Sequence, residues 1–120
     1  MGKQGVIFQL VEEALANARK HAQATHIWVR LRPVQDEICL LEIQDNGVGF
    51  NLKEINQSYD ARGSLGMVNL RDRTDLLNGH LNIISTPGKG TRIQVYFPLS
   101  EKAADRMHKA LGNKKSSMRG

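Results

Sequence analysis

Cysteine and aromatic residues are scarce in this chain, and their scarcity excludes several classes of protein. Among 120 residues there is one cysteine, Cys39, so neither an internal disulfide nor a zinc site built from cysteines is possible. Aromatic residues make up 5% of the chain and are not interleaved with basic runs, which leaves single-stranded nucleic acid little to stack on. There is also no apolar run long enough for a membrane span or a secretory signal. We therefore expect a cytoplasmic protein that binds no nucleic acid.

Positive charge is in moderate excess, and part of the excess is local. Lysine and arginine number 17 against 12 aspartate and glutamate residues, a formal net charge of +5. The last stretch, KKSSMRG, carries positive charge alone and is typical of a solvated, disordered end. Length and composition suit one domain with one core, which we place at residues 1–99. Residues 100–120 are expected to form a basic tail, with a short helix in EKAADRMHKAL followed by disorder.

Hydrophobic periodicity predicts two helices, two hairpins and a long loop in the first 99 residues. The helical pattern covers 6–22 and resumes at Met67, and Asn78-Gly79 marks its end. The alternating pattern of strands covers 25–32, 37–45, 81–86 and 91–97. Residues 46–65 show no periodicity, and a loop of this length in a compact domain is usually functional. Helices over one face of a mixed, largely antiparallel sheet make an α+β, two-layer sandwich.

Polar side chains stand where apolar ones are expected, at the ends of two strands and along one helix. Alternation carries the inner face of the second strand to Asp45 and that of the last strand to Thr91. With a rotation of about 100° per residue, four residues of the first helix form a polar seam beside its apolar stripe. They are Glu13, Asn17, Lys20 and His21. Each polar residue has an ordinary structural interpretation, such as a turn-initiating aspartate or a mid-helix amide, but their convergence on one long loop favours a ligand cleft.

Four motifs, in this order, resemble those of the gyrase, Hsp90, histidine kinase and MutL ATPase superfamily. EALANARKHA is similar to its asparagine-containing box, DNGVGF to its first glycine box, GSLGM to its second, and GKGT to the motif of the late strand. The resemblance covers residues 6–99, and the part from MVNLRDR onward is similar to sensor histidine kinases of the nitrate- and cold-sensing subgroup. It implies the Bergerat-type ATP-binding fold, with ATP and Mg²⁺ as ligands.

The resemblance assigns the base of the nucleotide to the strand ends and the first glycine box. Asp45 matches the carboxylate that accepts a hydrogen bond from the adenine amino group, and Thr91 matches the hydroxyl that shares this contact, often through a water. Guanine has a carbonyl where adenine has its amine, so a buried carboxylate discriminates between the two bases. Gly47 and Gly49 are expected to turn the backbone tightly and let it approach the purine.

The resemblance assigns the phosphates to the first helix. Asn17 matches the Mg²⁺ ligand, in line with the preference of this ion for oxygen donors and for few protein ligands. Lys20 matches a lysine that contacts phosphate, and His21 stands where related kinases have Tyr or His, although a core histidine is an equal alternative. Glu13 matches the residue that orients water in the superfamily's ATPases. In a kinase it would polarise the acceptor histidine, and a plain residue of the helical seam is equally compatible.

The second glycine box is expected to hold phosphate oxygens. Gly63 and Gly66 open it, and Met67 begins the helix that follows. Backbone amides and a helix N-terminus are suited to anions, because the unpaired N–H groups and the helix dipole both favour negative charge. These three residues complete the nucleotide site that the resemblance implies.

The sequence contains no helical hairpin with a phosphoacceptor histidine. The resemblance therefore implies the catalytic ATP-binding domain of a two-component sensor histidine kinase, which donates the γ-phosphate to a histidine on a separate dimerisation domain. That domain would then phosphorylate a response regulator. We expect the isolated fragment to be monomeric and unable to autophosphorylate, and we leave open whether the parent kinase is anchored to a membrane. Two alternatives remain, a stand-alone anti-sigma-type serine kinase and a non-catalytic nucleotide- or partner-binding module.

Overall fold

The computed structural model of the chain describes residues 2–19, 23–49, 67–111 and 116–119. These residues form three helices and five strands. The helices are α1 (Lys3–Asn17), α2 (Met67–Leu76) and α3 (Glu101–Ala110). The strands are β1 (Ile27–Gln35), β2 (Ile38–Asp45), β3 (His80–Thr86), β4 (Gly90–Pro98) and β5 (Ser116–Arg119). No described helix has the length and apolarity needed to cross a membrane.

The five strands form one sheet in the order β1-β2-β4-β3-β5. Neighbours pair antiparallel, except that β5 runs parallel to β3. Both predicted hairpins are therefore confirmed, as is the α+β class with a mixed, largely antiparallel sheet. The tight turns rely on residues with positive φ, Glu37 between β1 and β2 and Gly88 between β3 and β4.

The core lies between one face of the sheet and helices α1 and α2. Side chains of strands alternate between faces, so every second residue of β2, β3 and β4 points at the helices. These buried strand residues are Leu41, Ile43, Leu81, Ile83, Ile93, Val95 and Phe97. The helices contribute Val6, Leu10, Ala14, Leu70 and Leu77. Removing this apolar surface from water is the main force that holds the two layers together.

Helix α1 buries the stripe that its sequence predicts. Val6, Leu10, Ala14 and Ala18 recur every fourth residue and all are buried. The helix begins at Lys3, three residues before the predicted start, and residues 20–22 of the predicted helix lie outside the described part of the chain.

Helices α1 and α2 lie side by side, and α2 stops where predicted. Arg73 of α2 donates from Nε to Oε1 of Gln9 of α1 over 3.1 Å. At the end of α2, the N–H of Gly79 bonds to the carbonyl of Thr74 at 2.9 Å, after Asn78 has adopted a φ of 55°. This left-handed turn ends the helix and starts the chain into β3.

The segment after β4 is structured to a greater extent than expected. Ser100 caps α3 by accepting a hydrogen bond from the N–H of Ala103, and α3 packs on the opposite face of the sheet through Ala103 and Met107 against Ile38. Disorder was expected beyond this helix, whereas Ser116–Arg119 forms strand β5. The pairing is between segments distant in the chain, and it arises because the outer edge of β3 offers backbone donors and acceptors that β5 satisfies.

Candidate functional site

Three polar side chains form a row at one end of the buried sheet face. Asp45 is paired with Thr91 in the register of β2 and β4, and Ser85 is paired with Thr91 in the register of β3 and β4. All three are buried, with Asp45 exposed to 9%. These three residues follow the buried apolar residues of the same strands, so the row lies at the edge of the hydrophobic core. Alternation predicted that Asp45 and Thr91 each lie on the inner face, and the resemblance predicted that they lie close together.

The carboxylate of Asp45 is held in place by the glycine box that follows it. Its Oδ1 accepts a hydrogen bond from the N–H of Gly47 at 2.8 Å. This contact is typical of an aspartate that begins a turn, so one of the two oxygens of Asp45 has a structural role. Among the described residues the second oxygen, Oδ2, accepts no hydrogen bond. A carboxylate that is held by one oxygen and has its other oxygen available can accept a hydrogen bond from a ligand.

Ser85 was not among the residues singled out from the sequence. Its Oγ lies 2.8 Å from Oγ1 of Thr91 and 3.3 Å from the carbonyl oxygen of Gly90. Ser85 donates to the carbonyl of Gly90, and either hydroxyl can be the donor in the contact with Thr91, which restrains the Thr91 side chain. The signal was present in the sequence, because the alternation that buries Leu81 and Ile83 also turns Ser85 inward.

The glycine box is locked against the turn between β3 and β4. The N–H of Gly88 bonds to the carbonyl of Val48. Gly49 has a φ of +66°, and a Cβ on it would overlap the carbonyl oxygen of Thr86. A Cβ on Gly90, at φ +96°, would overlap the carbonyl oxygen of Asp45. Glycine is therefore needed at 49 and 90 for contact between two protein segments, in addition to any approach to a ligand.

Asn46 connects the same end of the sheet to the segment that joins α1 to β1. Its Oδ1 accepts from the N–H groups of Thr25 at 3.0 Å and His26 at 2.9 Å, and its Nδ2 donates to the hydroxyl of Thr25 at 2.7 Å. The backbone N–H of Asn46 also bonds to the carbonyl of His26. These contacts anchor the chain that follows the asparagine-containing helix beside Asp45.

The remaining predicted site residues are described only in part. Glu13 is half-buried on α1, one turn beyond Gln9 and on the same side of the helix. Asn17 is the last residue of α1 and Met67 the first of α2, and only these backbone positions are described. Four predicted residues lie outside the described part of the chain: Lys20, His21, Gly63 and Gly66.

A cavity of about 210 Å³ adjoins the polar row without being the predicted cleft. Its lining includes Gln44, Ile84 and Arg92 as well as Asp45 and Thr91. Gln44 and Arg92 alternate with Asp45 and Thr91 along their strands, so they point to the opposite face of the sheet. The cavity therefore opens on the face away from α1 and α2.

That opposite face carries a half-buried charge network centred on Glu42. Gln94 donates to Oε2 of Glu42 at 2.9 Å, Arg30 contacts Oε1 at 3.2 Å, and Arg92 lies 3.9 Å away. The hydrogen bond from Gln94 and the two guanidinium groups lower the pKa of Glu42 below its usual 4.5, against the opposing effect of burial. The network therefore depends on an ionised carboxylate.

Comparisons with known proteins agree with this architecture. Residues 2–101 match the family described as histidine kinase-, DNA gyrase B-, and HSP90-like ATPase. The chain is 46% identical over 96 residues to an uncharacterized sensor-like histidine kinase of Chloroflexus aurantiacus, covering 80% of this chain and 16% of that protein. It is 39% identical over 94 residues to the signal transduction histidine-protein kinase/phosphatase DegS of Bacillus subtilis, covering 78% of this chain and 24% of DegS.

A solved structure shares the fold. The blue-light activated histidine kinase of Erythrobacter litoralis EL346 superposes with a TM-score of 0.67 at 27% sequence identity. The match covers 83% of this chain and 31% of that kinase. The chain thus spans between 16% and 31% of the length of these three relatives.

Proposed function

Since this chain belongs to the family of histidine kinase-, DNA gyrase B- and HSP90-like ATPases, we propose that it binds ATP with the adenine against Asp45. The chain is an ATP-binding domain of the sensor histidine kinase type, in keeping with its relatives. The observation that supports the proposed binding mode is the buried pair of Asp45 and Thr91 at the mouth of the core, with one carboxylate oxygen fixed by Gly47.

Recognition of adenine would follow from the state of the two carboxylate oxygens. Oδ1 of Asp45 is occupied by the N–H of Gly47, which sets the plane of the carboxylate. Oδ2 would accept the hydrogen bond of the adenine N6 amine. Guanine brings a carbonyl to the same point, so its oxygen would face a buried carboxylate and both acceptors would lose their partners.

Thr91 would complete the base site, and Ser85 would position it. The Thr91 hydroxyl lies beside the carboxylate in register, and its contact with Oγ of Ser85 restricts it to one direction. A hydroxyl held this way can bind the base directly or through one ordered water. Ser85 touches no reacting atom in this scheme and acts through Thr91.

The phosphates would extend from the base site toward the end of α1 and the start of α2. Asn17 would hold Mg²⁺ through its amide oxygen, and the ion would neutralise charge that develops on the phosphates. Lys20 and His21 follow Asn17 in the sequence and would contact phosphate oxygens. Gly63, Gly66 and Met67 precede or begin α2, whose N-terminus favours anions. Glu13, on the same side of α1 as Gln9, would orient the accepting group.

The acceptor would be a histidine on a helical dimerisation domain of the longer kinase, and a response regulator would receive the phosphate next. Transfer would depend on positioning and charge neutralisation, as is general for phosphoryl groups. The two alternatives left open by the sequence, a stand-alone serine kinase and a non-catalytic module, are not favoured by relatives that are sensor kinases.

Calorimetric titration of the chain with ATP and Mg²⁺ tests the binding mode. Asp45→Asn should weaken ATP binding by about 100-fold or more and narrow the preference for ATP over GTP, because an amide oxygen is a weaker acceptor and its NH₂ group tolerates the guanine carbonyl. Asp105→Asn is the matched control, since Asp105 is exposed on α3 and on the other face of the sheet. Equal affinities in the two variants would disprove the proposal.

A further inference from the structure

Strand β1 lies at the end of the sheet, and its outer edge has no neighbouring strand among the described residues. Eight of its nine residues are exposed, although their sequence, IWVRLRPVQ, is as apolar as that of a covered strand. An edge of this length presents a row of unpaired backbone donors and acceptors. It is therefore a place where another extended segment can pair.

The backbone of β1 shows which groups point outward. The N–H of Asn46 bonds to the carbonyl of His26, and this pair continues the register that joins Ile27 to Asp45. Hydrogen-bonded and non-bonded pairs alternate in an antiparallel ladder, so the even-numbered residues of β1 bond to β2. Residues Ile27, Val29 and Leu31 then direct their N–H and C=O groups to the free edge.

Pro33 agrees with this assignment. Pro33 is odd-numbered, like Ile27, Val29 and Leu31, so an N–H at this position would point away from β2. Its absence therefore removes no hydrogen bond between β1 and β2. The free edge thus offers three complete N–H and C=O pairs before the proline.

The side chains on the helix side of this edge are apolar and uncovered. Val29 is 45% exposed and Leu31 57% exposed, although they stand opposite the buried Ile43 and Leu41 of β2. Phe8 of α1 is 64% exposed. By helical angle it continues the flank of Val11 and Leu15, on the side of α1 away from Gln9 and hence away from α2. Phe8 thus adds an exposed apolar side chain on the flank of α1 that faces away from α2.

The side chains on the other side of the edge include two cations, which stand between the exposed Trp28 and Val34. Arg30 and Arg32 of β1 are exposed, and Arg92 stands two strands away in the sheet. The one acidic residue of this group is Glu42, which contacts both Arg30 and Arg92. An acidic side chain placed beside Arg32 would find a cation without an acidic partner among the described residues.

We propose that β1 is a docking edge for a strand of a protein partner in which apolar residues alternate with acidic ones. The partner's backbone would bond to Val29 and Leu31. Its apolar side chains would cover these two residues and Phe8, and its acidic side chains would face Arg30 and Arg32. This inference is independent of nucleotide binding.

A second copy of this chain fits the edge poorly. The antiparallel register that pairs the whole of β1 with its symmetry mate is centred on Leu31, and it sets Arg30 of one copy opposite Arg32 of the other. Like charges directly opposite each other destabilise a strand pair. The arginines therefore act against self-association while they favour an acidic partner.

The test uses a synthetic peptide as long as β1 that alternates valine and glutamate. Trp28 is the only tryptophan of the chain and lies on β1, so its fluorescence reports on this edge alone. Binding should change that fluorescence and shift the backbone amide resonances of Val29 and Leu31. The control peptides alternate valine with lysine, or carry valine and glutamate in separate blocks, and both should bind at least about tenfold more weakly.

Two variants of the chain sharpen the result. Arg32→Glu should lower the affinity for the valine–glutamate peptide about tenfold and raise the affinity for the valine–lysine peptide. Val29→Pro removes an outward N–H and no bond to β2, so it should abolish peptide binding while circular dichroism shows the fold intact. If Val29→Pro unfolds, the change in peptide affinity caused by Arg32→Glu still tests the proposal. Equal affinity for all peptides, no effect of Arg32→Glu, or sedimentation showing that β1 is already covered in a dimer would overturn the proposal.

Discussion

The hydroxyl groups of Ser85 and Thr91 lie 2.8 Å apart on neighbouring strands, and Thr91 is paired with Asp45 in the register of β2 and β4. This contact sets the direction in which Thr91 can offer its oxygen to a ligand. It also means that Thr91 depends on a residue of β3, the strand that pairs with β4 on the side away from Asp45. The proposed base site would therefore be made by three strands.

Replacing Ser85 should weaken ATP binding at the proposed base site without removing a ligand contact. We expect Ser85→Ala to lower the affinity for ATP about fivefold, because Thr91 loses the partner that orients it, and to cost about 1 kcal/mol of folding free energy. Asn82→Ala is the matched control. It removes the hydrogen bond to Gln94 from the same strand on the opposite face, so it should cost similar stability and leave ATP affinity unchanged. A parallel loss of affinity in both variants would indicate a purely structural effect.

A methyl group at Gly49 should be costly for two reasons. The residue has a positive φ, and its Cβ would overlap the carbonyl of Thr86. We expect Gly49→Ala to lower the free energy of unfolding by about 3 kcal/mol, measured by urea denaturation. Gly88→Ala isolates the conformational part, because Gly88 also has a positive φ but its Cβ would meet nothing within 4 Å. Gly88→Ala should lower the free energy of unfolding by about 1 kcal/mol. If both variants lose the same amount, overlap with Thr86 does not contribute.

The side chain of Asn46 should contribute to stability through its acceptor oxygen. Asn46→Ala removes the acceptor of two backbone N–H groups, and we expect a loss of about 1–2 kcal/mol in the free energy of unfolding. Asn46→Asp keeps an oxygen for both N–H groups, and its second oxygen can accept from the Thr25 hydroxyl where Nδ2 now donates to it, so it should retain most of the stability. If both variants lose the same amount, the anchoring of the α1–β1 segment does not depend on these two bonds.

The Glu42 network predicts a dependence of stability on pH. The pKa of Glu42 is lowered in the folded state, chiefly by the hydrogen bond from Gln94, so the ionised form stabilises the fold at pH values above the unfolded pKa near 4.5. This contribution is lost as pH falls below 4.5 through the folded pKa. Glu42→Gln should therefore be less stable than the parent at pH 7, and the difference should shrink in acid.

A second change identifies the cause of that dependence. In a Gln94→Ala background, the loss of stability that Glu42→Gln causes at pH 7 should be smaller, because the main donor to the carboxylate is gone. Thermal melts of the parent, the two single variants and the double variant at pH 7 and at a series of pH values below 4.5 measure both effects. A loss that stays constant with pH would contradict the lowered pKa.

The sequence predicted those parts of the site that depend on local repetition. Asp45 and Thr91 were placed on the inner face because side chains alternate along any strand, whatever its neighbours. That β2 pairs with β4 is a long-range choice that periodicity does not contain, and the resemblance to the ATPase superfamily supplied only that Asp45 and Thr91 share a contact. Strand β5 was missed for a related reason, since its pairing depends on the edge of β3.

The demand for glycine at position 49 was predicted, but its physical reason was incomplete. The expectation was close approach to a purine, and the structure adds a contact with the carbonyl of Thr86, which is distant in the chain. Such a contact exists only after the hairpin of β3 and β4 has folded against the loop. No local pattern encodes it. The role of Ser85 was overlooked on similar grounds, because alternation turns its side chain inward without showing that Thr91 is its partner.

The contacts between the glycine box and the turn that joins β3 to β4 limit how this part of the fold can be grafted into another protein. The carbonyl of Val48 is bound by Gly88, and the carbonyls of Thr86 and Asp45 occupy the space that side chains at 49 and 90 would need. A designer who grafts DNGVGF into a new scaffold must therefore carry the GKGT hairpin with it, as a single module with two discontinuous halves.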